Sequence, residues 1–408
     1  MLNISIVKGE KMKTVGIIAE YNPFHNGHKY QIEKAKEITG ADTVIVIMSG
    51  SFTQQGNIAA VNKFKRAEMA IQSGSDLIIE LPTIFATSSA EMFAFGAVNI
   101  LDKLNTVDYL IFGTECDSID IINSIVDKLI TRKDIIDESI KNEIKNGISY
   151  ASARDSTLKK LLTEIEYNEF SKPNNILAIE YLKALKTINS KIKPIAIQRE
   201  VANHNDESIS NSDIYASATS IRNELEDTNN IDNVVSYIPN ETYEILSNST
   251  LCFNEDMFKL LRYKILALGK ENIQNIYDVT EGLENKIYDS IVTSKTYNDL
   301  INSIKSKRYT MSRIKRILTH IMLDITKEKY NSLSCSYYAR ILKTNKNNNI
   351  LGILNKNASI PILANINDNN KDNLDEKIKQ SLLLDFNSSN IYEIISNNNL
   401  NLDKTNML

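Results

Sequence analysis

Two histidines, His25 and His28, flank a glycine in the stretch AEYNPFHNGHKY. The whole chain of 408 residues has four histidines, so half of its imidazoles lie in one turn. An apolar run, TVGIIA, precedes them, and a helix-like run, NGHKYQIEKAKEIT, begins between them. A pair so placed could cap or pack the helix, hold a metal, or donate N–H groups to an anion. The metal reading lacks an HExxH spacing and an obvious third ligand nearby. The anion reading gains from the position, because a helix N-terminus offers unpaired backbone N–H groups and a positive dipole end. Gly27 lets a ligand approach the backbone, and Pro23 stiffens the turn. Imidazole N–H groups there could stabilise charge building on phosphate oxygens during phosphoryl-group transfer. A nucleotide-phosphate site is therefore the favoured reading.

The elements that position this turn follow a regular pattern. DTVIVIM, DLIIEL, VDYLIFG and KPIAIQRE read as further strands, alternating with amphipathic stretches such as NKFKRAEMAIQSG and SAEMFAFGAVNILDKL. Strands this apolar, separated by helices, predict an α/β domain with a parallel sheet covered on both faces. In such a sheet ligands bind at the carboxyl ends of the strands, where the turn lies. After about residue 225 the period becomes helical, as in DMFKLLRYKILALGK and YTMSRIKRILTHIMLDITK. The expected division is residues 12–225 as the nucleotide-binding catalytic domain, 226–345 as a helical domain and 346–408 as a small α/β appendage. Residues 1–11 read either as an untranslated extension, since VKGEKMK is encodable by a purine-rich stretch resembling a bacterial ribosome-binding site before a start at Met12, or as a short disordered or strand-extending tail.

Composition narrows the setting. Hydrophobic residues make up 42% and charged residues 24%, ordinary for a globular protein. The net charge of −4 gives no global field for DNA or RNA, so any RNA contact needs a local patch. Three distant cysteines fit a reducing compartment without disulfides or zinc. No apolar run reaches the ~20 residues needed to span a bilayer, so a cytoplasmic location is expected.

The resemblance extends beyond one motif. HNGH resembles the HxGH signature of a nucleotidyltransferase superfamily. The ordered blocks VGIIAEYNPFHNGHKY, MSGSFTQQG, SGSDLIIELP, SSAEMFAFGAV, FGTE, KPNNILAIEYL and SATSIR resemble the bacterial tRNA(Met) cytidine acetate ligase family. That resemblance implies a Rossmann-like domain and an ATP-dependent ligase. Acetate would attack the α-phosphorus of ATP to give acetyl-adenylate. The acetyl group would then pass to the wobble cytidine of elongator tRNA(Met), forming N4-acetylcytidine. Acetate, with a pKa near ~4.3 by analogy with a glutamate side chain, arrives ionised, so the first step needs charge stabilisation and no base. His25 and His28 would be the catalytic donors.

The same resemblance assigns the ATP-binding turn to Ile18, Ala19, Glu20, Tyr21, Asn22, Pro23, Phe24, His25, Asn26, Gly27, His28, Lys29, Tyr30 and Gln31. Gly113, Arg199 and Glu200 would add contacts at other strand ends, and Asn174 and Asn175 would add them just ahead of a helix. Ser217, Thr219, Ser220 and Arg222 in SATSIR would hold the β and γ phosphates. For the asparagines and for SATSIR, ordinary helix capping is the competing role. Ser49, Gly50 and Ser51 are candidates for the acetate or cytidine pocket. Magnesium would arrive on ATP, with no dedicated protein ligands. Gln55 and Ala178 depart from the family pattern, where arginine and glycine are expected; the first puts a charge contact in doubt.

Two basic clusters could meet the tRNA: Lys63, Lys65 and Arg66, and then Lys305, Lys307, Arg308, Arg313, Lys315 and Arg316. The alternative for each is a solvated helix face. Two other functions compete: a small-molecule adenylyltransferase that never touches RNA, and a nucleotide-binding module without activity. The basic helical region disfavours the first, and the intact HNGH and SATSIR blocks disfavour the second.

Overall fold

The computed structural model describes residues 12–116, 118–148, 150–198, 215–280, 282–306, 308–345, 349–364 and 373–405. Five parallel strands form the centre of a sheet: β1 (Thr14–Ala19), β2 (Thr43–Ser49), β3 (Leu77–Leu81), β4 (Tyr109–Thr114) and β5 (Lys193–Gln198). β6 (Ala339–Thr344) runs antiparallel to β3, and β7 (Ile362–Leu363) pairs with β6, giving the order β5-β4-β1-β2-β3-β6-β7. The chain moves outward from β1 through β2 to β3, then returns to place β4 on the other side of β1. That reversal makes the carboxyl ends of β1 and β4 the crevice where a ligand binds in this class of sheet.

Alternation along each strand sends side chains to two cores. Ile45, Ile47, Leu77, Ile79, Leu110 and Phe112 face one; Val15, Ile17, Val44, Val46, Ile78 and Ile111 face the other. Both faces are covered, which explains the unbroken apolar runs. The flanking helices are α1 (Asn26–Thr39), α2 (Lys63–Gln72), α3 (Thr83–Ala86) and α4 (Ala90–Lys103). Four more, α5 (Ile119–Thr131), α6 (Lys133–Lys145), α7 (Tyr150–Leu161) and α8 (Glu164–Ser171), lie between β4 and α9 (Pro173–Thr187). Next come α10 (Ala218–Thr228), a 3-10 turn (Ile231–Tyr237) and α11 (Asn240–Ser247).

The helical region comprises α12 (Phe258–Ile273), α13 (Leu283–Thr293), α14 (Tyr297–Ile304), α15 (Met311–Met322) and α16 (Lys327–Leu333). Its apolar residues Leu261, Ile265, Ile317 and Ile321 belong to the same core as the sheet residues Ile45 and Ile79. The helical region is thus fused to the sheet through shared burial. The C-terminal part also differs from a separate appendage. β6 and β7 extend the sheet, and the helix Glu376–Ile395 docks on it: Asp385 Oδ1 accepts the Thr83 N–H at 2.8 Å. The proposed boundary at 345/346 therefore falls between two strands of one sheet.

Candidate active site

The turn after β1 is built from backbone strain and aromatic packing. Tyr21 has φ 48° and is buried. Its ring meets Phe24 edge-on at 4.8 Å and His28 at 4.7 Å. His25 is the N-cap of α1, where Nδ1 accepts the Gly27 N–H at 3.1 Å. His28 Nδ1 accepts the N–H of His25 at 3.2 Å. The two imidazoles thus form a reciprocal capping box, usually made by Ser or Thr with Glu or Gln. Their rings stack with centroids 3.6 Å apart. A nitrogen that accepts a backbone N–H carries no proton, so each neutral ring holds its proton on Nε2. The cap therefore fixes two Nε2–H donors side by side at a helix N-terminus. An added Cβ at Gly27 would lie 3.0 Å from Cε1 of His25, so the glycine makes room for that ring.

The rest of the turn divides. Ile18 and Ala19 end β1, and Pro23 is buried behind the turn. Asn22 Oδ1 accepts the Ala60 N–H at 2.7 Å. Asn26, Lys29 and Tyr30 reach sideways, to the Ser236 carbonyl (3.0 Å), Glu241 (3.2 Å) and the Tyr215 ring (6.2 Å between centroids). Gln31 is half-buried on α1. Glu20 Oε1 accepts the Gln54 N–H at 2.7 Å. Burial pushes the Glu20 carboxyl above its ordinary range, against that hydrogen bond and the Arg222 and Arg66 charges.

Arg66 and Lys63 are corrections to the sequence reading. Arg66 is fully buried and gathers the strand ends: Nε donates to Val61 O at 3.1 Å, Nη1 to Glu20 O at 2.6 Å and to Ser49 O at 3.1 Å, and Nη2 to Gly50 O. Lys63 is 1% exposed and ion-paired to Glu80 and Asp403, each at 2.8 Å. Neither is available to RNA phosphate. Lys65 donates to Asn248 O and Ser249 Oγ. Ser49, Gly50 and Ser51 are buried at the end of β2. Gly50 is required because a Cβ there would fall 2.5 Å from Glu80 Oε1.

At β4, Gly113 pairs with Ile197, and the next residue, Thr114, donates its hydroxyl to Asn175 Oδ1 at 2.8 Å. Asn175 Oδ1 also accepts the Glu115 N–H, and Nδ2 donates to the Glu169 carbonyl and carboxylate. The amide's capacity is filled internally, so Asn175 orders the strand end and neither caps α9 nor has a donor left for ATP. Asn174 occupies the first turn of α9, whereas Arg199, Glu200 and Lys307 lie outside the described residues. Ser217 caps α10, accepting the Ser220 N–H at 3.0 Å, and Ser220 Oγ donates to Ser217 O at 2.9 Å. Arg222 Nη1 donates to Asn22 O at 2.6 Å and Nη2 to Thr219 Oγ1 at 3.1 Å. This guanidinium ties the start of α10 to the HNGH turn, so two helix N-termini share one neighbourhood.

The second basic cluster also splits. Arg313 pairs with Asp278 at 2.9 Å, and Arg316 is 9% exposed. Lys305 and Arg308 are exposed. Lys315 donates to Asn57 Oδ1 at 3.1 Å. Burial, with the nearby Arg222, lowers its pKa. The placement of Lys315 beside Arg222 could not be read from the sequence, because it depends on α15 docking on the loop after β2. Residues 258–333 carry 14 basic and 8 acidic side chains, a net +6, against −10 for the remainder. Among the described residues no group of three or more His, Cys, Asp or Glu could hold a metal, and no helix is long and apolar enough to cross a membrane.

The family described as HIGH Nucleotidyl Transferase matches residues 12–406. The tRNA(Met) cytidine acetate ligase of Clostridium perfringens is 40% identical, over 94% of this chain and 96% of that protein. The protein of the same name from Clostridium tetani is 39% identical, over 94% and 96%. Among solved structures, Thermotoga maritima TmcAL superposes with TM-score 0.88 at 31% identity, covering 94% of this chain and 95% of the other. A second form, bound with alpha-thio ATP, gives TM-score 0.86 at the same identity and coverage.

Proposed function

This chain belongs to the tRNA(Met) cytidine acetate ligase family, and we propose that it activates acetate with ATP as acetyl-adenylate and transfers the acetyl group to the wobble cytidine of elongator tRNA(Met). The observation that carries this reading is the capping box of His25 and His28, which commits both Nδ1 atoms to backbone N–H groups and so places each neutral ring's proton on Nε2.

The chemistry follows from that donor pair. An acetate oxygen attacks the α-phosphorus, and the bond to pyrophosphate breaks. Charge grows on the α-phosphate oxygens, where two fixed N–H groups at a helix N-terminus stabilise it without reorganising. The N-terminus of α10, with Ser217, Thr219, Ser220 and Arg222, would receive the β and γ phosphates, supported by the Arg222 link to the turn. Any magnesium would come on those phosphates, since the first turn of α1 has no acidic residue. In the second step the cytidine amine attacks the acetyl carbon and AMP leaves. The +6 helical region, through Lys305, Arg308 and Lys315, would hold the RNA backbone, with an exposed cytidine presented unstacked to the site. The reaction belongs in the cytoplasm with its tRNA.

The test is incubation with ATP, labelled acetate and unmodified elongator tRNA(Met). ATP-dependent N4-acetylcytidine is expected. Label that reaches an adenylate but never RNA would replace this function with that of a small-molecule adenylyltransferase.

A further inference from the structure

One group at the site opposes the charge of everything bound there. ATP, acetate and pyrophosphate are anions, yet Glu20 places a carboxyl directly after β1. It is held from three elements. The loop after β2 donates Gln54 N–H to Oε1 at 2.7 Å; α2 brings Arg66, bonded to the Glu20 carbonyl; α10 brings the Arg222 charge. Lys315 of α15 and Glu226 of α10 complete the charges around Arg222. Among the described residues no hydrogen bond or ion pair occupies Oε2 of Glu20. Burial outweighs the two guanidinium charges and raises its proton affinity. A half-buried carboxylate with one oxygen fixed and one open suits proton transfer better than anion binding.

We propose that Glu20 is the base that takes the proton from the cytidine N4 amine during acetyl transfer. This assignment rests on the function proposed above. The N4 lone pair forms the new bond to the acetyl carbon, and the carbonyl electron pair moves onto oxygen. That pair returns as the bond from the acetyl carbon to the phosphate oxygen breaks, and AMP leaves with the bonding electrons. The N4 proton passes to Glu20 Oε2 and then to water. The first half-reaction releases no proton from acetate, so the need for a base is confined to the second half.

That confinement supplies the test. Glu20→Gln keeps the shape and an oxygen able to accept the Gln54 N–H. Single-turnover transfer of labelled acetyl from preformed enzyme-bound acetyl-adenylate to unmodified elongator tRNA(Met) should fall by about 10²-fold. Acetate-dependent ATP–pyrophosphate exchange should fall at least ~10-fold less than transfer does, because the two half-reactions report separate transition states. Wild-type transfer should rise with pH to a plateau as a single carboxyl deprotonates, and the variant should lose that rise. Equal losses in both half-reactions would overturn the assignment. So would full transfer in the variant, or a wild-type transfer rate independent of pH. A wild-type protein without acetate-dependent exchange would overturn the proposed function itself, and this assignment with it.

Discussion

A methyl group at position 27 would lie 3.0 Å from Cε1 and 3.1 Å from Nδ1 of His25. The contact is with a side chain, so the ring would yield and the helix would survive. Alanine also favours a helix over glycine by up to about 1 kcal/mol. Gly27→Ala should therefore leave thermal unfolding unchanged or slightly raised, while acetate-dependent exchange drops by about 10-fold or more as the donor is displaced. At this scale the sequence is informative where function depends on local spacing. HNGH at a strand-to-helix turn marks both histidines, and the capping box explains why a three-residue spacing is needed. It is uninformative where a role depends on distant partners. Lys63 and Arg66 look like a basic helix face until Glu80 and Asp403, far along the chain, are brought to Lys63 and the strand-end carbonyls to Arg66.

The elements most easily recognised are β1 to β5 and α1, whose apolar runs and caps are local signals. What no local signal reports is how α15 docks on the loop after β2. Gly56 has φ 76°, and a Cβ there would meet the backbone nitrogen of Arg316 at 2.3 Å. Backbone on both sides cannot yield as a side chain can. Gly56→Ala should destabilise the protein by about 2 kcal/mol or more in urea unfolding, mainly by separating this loop from α15. On the same helix, His320 Nε2 lies 2.9 Å from Thr87 O. Burial pushes its pKa down to about 4, against its hydrogen bonds to the Thr87 and Tyr277 carbonyls. An unfolded histidine titrates near ~6.5, so between that pH and about 4 the unfolded chain binds more protons. Stability should therefore fall as pH drops through this window, by about 3 kcal/mol in all, and His320→Gln should remove most of that slope.

Across the whole molecule, the C-terminal segment is tied to the central sheet. Lys63, Glu80, Arg340 and Asp403 form a buried ion cluster, each no more than 7% exposed, that joins α2, β3, β6 and the last described helix, Leu402–Thr405. Two cations balance two carboxylates there. Asp403→Asn would leave Lys63 and Arg340 with Glu80 alone, and should cost about 3–5 kcal/mol in chemical unfolding. A loss below ~1 kcal/mol would show that the cluster does not bind the C-terminus to the sheet. This whole frame supports the HNGH turn, and ATP–pyrophosphate exchange dependent on acetate reads that turn most directly. His25→Ser keeps a side-chain cap but removes the Nε2–H donor. His25→Ser and His28→Ala should each slow exchange by about 10²-fold while the protein stays folded. A doubly substituted protein that exchanges at the wild-type rate would contradict the account.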